Sequence, residues 1–217
     1  GSGAFLYEVM TPGGTMDTTT PPVRPIFEAF GHSIVAGELL DNMSEVYYQA
    51  MAQAHGYAIV SRGQPGSTFK EFPSGDPKYT SNTGQARVSE ITSVQPKICI
   101  IDYFTNDLRD QPGDNPQESV TDLQAALQTT LPQLKAQCPN THFYVLGLLD
   151  LKGRPRATQS LWDNMIQGVV QSLNSPNWTY INQEGVIDPT VDTVDGTHPN
   201  IQGSLKVAAH LEPLIQW

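Results

Sequence analysis

Between Lys97 and Phe104 the chain sets Ile98, Cys99, Ile100 and Ile101 side by side with no polar residue among them. A strand with one wet face alternates apolar and polar side chains, so an unbroken run of this length asks for burial on both faces. Such a strand belongs inside a parallel sheet with helices packed above and below it.

The flanking segments fit that demand. Ile26 to Phe30, Tyr57 to Val60, Phe143 to Leu149 and Trp178 to Ile181 read as four further strands. From Ala36 to His55, residues Leu39, Leu40, Met43, Val46, Tyr47, Ala50, Met51 and Ala54 recur at helical spacing and predict one core-facing helix, with Gly56 as its stop. A weaker helix is expected over Ala86 to Ser93 and a long one over Gln117 to Gln137, which Pro132 should kink or split. Leu161 to Leu173 and Gln202 to Ile215 complete the set. Strand and helix alternate about five times, the pattern of a three-layer α/β/α sandwich built on a five-stranded parallel sheet with right-handed crossovers.

The 217 residues suffice for one such domain, assigned to residues 26–217. Ahead of it, Gly1-Ser2-Gly3 looks like a tag scar, Phe5 to Met10 alternates as a short strand does, and Thr11 to Pro25 is an irregular Gly/Thr/Pro-rich tether. A formal net charge of −10 argues against nucleic acid and anionic membrane surfaces as partners. No apolar run approaches the roughly 20 residues of a membrane span. Cys99 and Cys138 precede or open neighbouring strands, so either a disulfide or two buried free thiols is geometrically possible. Asn42-Met43-Ser44 and Asn177-Trp178-Thr179 are glycosylation sequons, which leans toward a secreted or extracellular protein.

In a parallel sheet of this kind ligands bind outside the carboxyl ends of the strands. Ser33, in Phe30-Gly31-His32-Ser33-Ile34, falls where the first strand turns into a helix. Alone, it is most simply an N-cap. The other strand ends supply Gly63 and Gly66, then Asn106 and Asp107, then Asp195-Gly196-Thr197-His198-Pro199. A serine hydroxyl needs a base to act as a nucleophile, and imidazole is the side chain suited to that exchange near neutral pH. Asp195, three residues before His198, can hold one ring nitrogen and leave the other free as acceptor. Asn106 offers an uncharged donor for a developing oxyanion, and Asp107 reads as a brace for its loop.

In this order of strand-end residues the chain resembles the SGNH (GDSL-type) hydrolase superfamily, above all in Thr105-Asn106-Asp107 and Asp195-Gly196-Thr197-His198-Pro199-Asn200. The resemblance covers about Ile26 to Trp217. It implies Ser33 as nucleophile, His198 as general base and acid, and Asp195 as its orienting partner. The oxyanion hole would comprise the amides of Ser33 and Gly66 (Gly63 being the alternative) and the Asn106 side chain. It implies no metal and no organic cofactor, and ester hydrolysis through an acyl-enzyme. Polar loops over Ser61 to Ser81 and Asp150 to Thr158 suit a short acyl group on a carbohydrate, with Phe69, Phe72, Tyr79 and Trp162 as candidates for stacking on sugar rings. A lipase or thioesterase of the same fold, and an idle carbohydrate-binding domain, are the alternatives. The Gly-x-Ser-x-Gly elbow of the α/β-hydrolases is excluded by Val35 at its second glycine. The departure from the superfamily pattern is His32, where Asp is usual. Neutral His offers a single acceptor nitrogen in place of a carboxylate's two oxygens.

Overall fold

The structure, a computed structural model, describes residues 23–70, 83–108 and 116–217. Five strands, β1 (Ile26–Gly31), β2 (Ala58–Gly63), β3 (Ile98–Asp102), β4 (His142–Leu146) and β5 (Trp178–Ile181), form one sheet in the order β2-β1-β3-β4-β5. All four pairings are parallel. Helices α1 (Ser33–Ala36), α2 (Tyr47–Ala54), α3 (Val88–Val94), α4 (Pro116–Gln137), α5 (Arg156–Ser172) and α6 (Ile201–Leu211) connect and follow them.

The two-residue period of the strands separates two cores. Phe27, Ala29, Ile98, Ile100, Tyr144 and Leu146 pack with residues of α1, α2 and α6. Phe30, Cys99, Ile101, Phe143 and Val145 pack on the other face with α3, α4 and α5. This is the expected three-layer α/β/α sandwich. Every residue of β3 is buried, as its unbroken apolar run requires.

Several boundaries differ from the sequence expectations. The single helix expected from Ala36 to His55 is broken. Gly37 ends α1 in the left-handed region at φ 68°, and a short 3-10 turn at Met43–Glu45 follows, capped by the Asn42 side chain. Leu39 and Met43, assigned to a core face by their spacing, are instead 51% and 46% exposed. Strand β2 starts one residue late and runs on to Gly63, because Gly31 of β1 still pairs with Gly63. Helix α4 runs unbroken through Pro132, whose exposed position leaves the freed carbonyl one turn back to solvent. Helix α5 begins at Arg156, five residues before its expected start at Leu161. Cys99 and Cys138 are both buried free thiols, and burial pushes the Cys99 thiol well above its ordinary range. The expected strand at Phe5 to Met10 and all but the last three residues of the tether lie outside the described residues.

Candidate active site

Strand β1 lies between β2 and β3, so its carboxyl end has a loop on either side. Gly31 is level with Gly63 of β2 and Asp102 of β3. The His32 amide donates to the Asp102 carbonyl at 3.4 Å, and the Gln64 amide to the Gly31 carbonyl at 3.0 Å. Ser33, the first residue of α1, is therefore flanked by the loop after β2, carrying Gly66, and the loop after β3, carrying Asn106. Gly63 itself is not a loop residue: a Cβ there would meet the Ala36 backbone at 2.2 Å, so a glycine lets α1 rest on the strand end. Gly66, at φ 74°, sits in the turn beyond.

Those two loops are tied to each other. The Asn106 side-chain amide donates to the Ser67 carbonyl at 2.8 Å. Asp107 accepts from the amides of Phe69 and Lys70 at 2.8 and 3.0 Å, the brace expected of it. Burial pushes the Asp107 carboxyl up to about 7 against the pull of those two amides and of Lys70. Beneath them Arg87 donates to the Tyr103 hydroxyl at 2.5 Å and to the Arg62 carbonyl at 2.8 Å, and pairs with Glu90 at 3.0 Å. The Tyr103 ring lies edge-on to His32, 6.3 Å between centroids. At the end of β3, burial raises the Asp102 carboxyl to about 6, while the Tyr47 hydroxyl donates to it at 2.9 Å.

The third segment arrives from beyond β5. Between Thr193 and Pro199 the chain folds back on itself, with the Val194 amide donating to the His198 carbonyl at 2.9 Å. The Gly196 carbonyl accepts from the Lys152 amide at 2.9 Å, which anchors this turn to the loop after β4. Asn200 then caps α6 by accepting from the Gly203 amide at 3.0 Å. Held this way, His198 Nε2 lies 2.8 Å from Ser33 Oγ. His198 Nδ1 lies 2.8 Å from Asp195 Oδ2, while Asp195 Oδ1 accepts from the Thr197 and His198 amides, each at 2.9 Å. Partial burial would raise the Asp195 carboxyl, but the His198 amide and ring and the Thr197 amide outweigh it and pull it down to about 2. Three side chains from opposite ends of the sequence thus form one hydrogen-bonded line.

No protein-family profile and no curated protein sequence matches the chain. Solved structures do. A carbohydrate esterase family 2 enzyme plus carbohydrate-binding domain from Corynascus thermopiles (Myceliophthora fergusii) superposes with a TM-score of 0.72 at 20% identity, over 90% of this chain and 67% of that one. A family two carbohydrate esterase from Clostridium thermocellum, in complex with cellohexaose, gives 0.70 at 16% identity, over 90% and 65%. A Bacteroides ovatus protein provisionally named a GDSL-like lipase gives 0.66 at 19% identity, over 89% and 53%. The fold is that of the SGNH hydrolases. At these identities the likeness is one of architecture, and the chain spans about two thirds of the length of the two carbohydrate esterases.

Within this SGNH fold two further side chains border the site, His32, already marked in the sequence as the departure, and Glu38, which carries no signal there. His32 is fully buried, and its Nδ1 accepts from the Ile34 amide at 3.3 Å while also lying 3.3 Å from Ser33 Oγ. Glu38 brings a second carboxylate to His198, with Oε2 3.6 Å from Nε2. Its amide donates to the Ser33 carbonyl at 3.0 Å, so it is fixed relative to Ser33. Nothing in a Gly-Glu-Leu run announces this; it depends on α1 being a single turn long. Two proposed stacking residues are corrected: Phe69 packs against Tyr103 and Phe104, and Trp162 lies on the buried face of α5 in the core, so neither ring has a free face. Phe72 and Tyr79 lie outside the described residues. Among the described residues no group of three or more His, Cys, Asp or Glu could hold a metal ion, and no helix is long and apolar enough to cross a membrane.

Proposed function

We propose that this protein is a serine esterase that removes short acyl groups, acetyl first among them, from a carbohydrate. The observation that carries the reading is the line Ser33–His198–Asp195, with 2.8 Å at both ring nitrogens. A hydroxyl within hydrogen-bond reach of a base, itself oriented by a carboxylate, is the arrangement of an activated nucleophile.

The chemistry runs in two halves. Ser33 Oγ attacks the ester carbonyl and gives its proton to His198 Nε2. Negative charge gathers on the carbonyl oxygen, where the Ser33 and Gly66 amides and the Asn106 side chain meet it. One Asn106 N–H is committed to the Ser67 carbonyl, and in this reading the second is the donor for the oxyanion. The intermediate collapses, the C–O bond to the alcohol breaks, and His198 returns the proton to the departing oxygen. A water then attacks the acyl-serine with His198 as base, releasing the acid and restoring Ser33. Asp195, ionised down to about pH 2, faces the imidazolium formed in each half.

The carbohydrate assignment draws on the two carbohydrate esterases of the same fold, one solved with cellohexaose. The GDSL-like lipase names among the other similar structures favour the second reading, a hydrolase of longer acyl chains. Hydrolysis of a chromogenic acetate ester by the protein and by Ser33→Ala tests the enzyme. Equal background rates in both would end the hydrolase reading. A series from acetate to octanoate then separates the two substrates, and acetate release from a panel of acetylated polysaccharides identifies the carrier.

A further inference from the structure

Resting on the esterase reading, we propose that a groove beside His198 receives the alcohol half of the ester, and that the alcohol it fits is an uncharged sugar ring. The groove has a volume of about 380 Å³, within the range of small-ligand clefts. Leu39, Leu40, Val194 and Ile201 form its apolar wall, and Asp41 and Glu45 are among its polar lining. Leu39, Val194 and Ile201 are 51%, 55% and 44% exposed, so this aliphatic surface is outside either core. Leu39 also stands at φ 68°, the left-handed region that a leucine adopts only at a backbone cost. Cost and exposure together, at one residue, mark the groove as more than incidental packing.

Its position decides which half of the ester it holds. Leu39 directly follows Glu38, whose carboxylate is 3.6 Å from His198 Nε2. Val194 directly precedes Asp195, and its amide is bonded to the His198 carbonyl. Both walls therefore adjoin, along the chain, residues that contact His198, whose imidazole must hand its proton to the departing alcohol. The carbonyl oxygen is drawn the other way, toward the loops bearing Gly66 and Asn106. Acetyl needs little room, so the large groove falls to the leaving group.

The chemistry of the lining selects the alcohol. An aliphatic wall covers the C–H face of a pyranose, and carboxylates accept from its hydroxyls. The same carboxylates, with Glu38, set a field that opposes an anionic alcohol such as a uronate.

The test compares acetylated methyl β-D-xylopyranoside, its uronate counterpart and ethyl acetate as substrates for the wild type, Leu39→Gly and Ile201→Ser. Glycine suits the Leu39 backbone and Ile201 is exposed, so both variants should fold. The expected result is a kcat/KM ratio of xyloside to ethyl acetate that falls roughly fivefold in each variant, and a wild type that disfavours the uronate by roughly fivefold at low salt. In parallel, methyl resonances of Leu39, Val194 and Ile201 in Ser33→Ala should shift with methyl β-D-xylopyranoside and not with the glucuronide. Variants that alter acetate-to-hexanoate preference instead would assign the groove to the acyl half and overturn the proposal. Methyl groups unmoved by the xyloside up to its solubility limit would also overturn it. Methyl shifts without any Ser33-dependent hydrolysis would remove the esterase reading while upholding a sugar-binding groove.

Discussion

His32 Nδ1 accepts the Ile34 amide at 3.3 Å, so the residue before Ser33 is the N-cap of the helix that Ser33 begins. This is the amide-binding task that an aspartate at the same point would perform with a carboxylate oxygen. Nδ1 must be unprotonated to do it, and it lies 3.3 Å from Ser33 Oγ as well. His32→Asp should therefore keep the cap, and esterase activity should be retained or raised. His32→Ala loses the cap and should cost about 1 kcal/mol of stability. Thermal melts and kcat/KM on an acetate ester check both, and a large loss of activity in a well-folded His32→Asp would show that the imidazole does something a carboxylate cannot.

Asp195 is fixed by two amides as well as by the imidazole, and its side chain is 44% exposed. An amide in its place would hold the ring less well and no longer face a cation. Asp195→Asn should lower kcat by less than the roughly 10⁴-fold loss known for a buried triad carboxylate, because water reaches this one. Since the carboxyl titrates at about 2, the acid limb of kcat/KM should contain no step from Asp195 above about pH 3. A pH–rate profile with such a step would contradict the geometry.

Asn106 serves two partners, the Ser67 carbonyl and the proposed oxyanion. Asn106→Ala should lower kcat by about 10²–10³-fold, with a smaller change in KM. Asn106→Asp keeps the size but places an acceptor against the Ser67 carbonyl and a charge against the oxyanion, so it should be worse still. An Asp variant as active as wild type would sink the oxyanion assignment.

Much of the fold was legible because burial on both faces leaves a plain mark. The run Ile98 to Ile101 gave β3, and Trp178 to Ile181 coincides with β5. Strand β2 was cut short because it is the edge strand: Ser61 is exposed and Arg62 half-buried, polar residues that look like loop. The helix over 36–55 failed at Gly37 and Leu39, where left-handed backbone interrupts a spacing that leucine and methionine otherwise continue. Ser33, Asn106, Asp195 and His198 could be singled out because strand ends converge in a parallel sheet. Glu38 could not, since its reach to His198 is set by the length of one helical turn.

Glu38 faces the nitrogen that would acquire charge in the proposed attack, which predicts a modest electrostatic role. The pair is 3.6 Å apart and Glu38 is 41% exposed, so solvent and salt weaken it. Glu38→Gln should lower kcat by no more than about fivefold at low ionic strength. The difference from wild type should shrink in about 1 M salt, where the screening length is near 3 Å. A loss that persists undiminished in salt would mean that Glu38 contributes shape and not charge.

Glu28 makes the sign of the pH dependence of stability testable. It is fully buried in β1, where Arg62, 3.4 Å away and a third exposed, chiefly offsets its charge and Arg87 does so weakly. Burial outweighs both arginines and raises the carboxyl from 4.5 to about 7. Between those values the folded protein holds a proton that the unfolded chain has lost. The Glu28 contribution is therefore fully present below about pH 4.5 and is lost as pH rises toward 7, by about 3 kcal/mol at most. Glu28→Gln keeps a neutral side chain at every pH and should remove that share of the slope. Asp102 and Asp107, raised in the same direction, stay in both proteins and cancel in the difference. Urea unfolding at pH 4.5, 6 and 8 should thus find the variant gaining on wild type as pH rises; a constant gap between the two would mean that Glu28 is ionised in the folded state throughout.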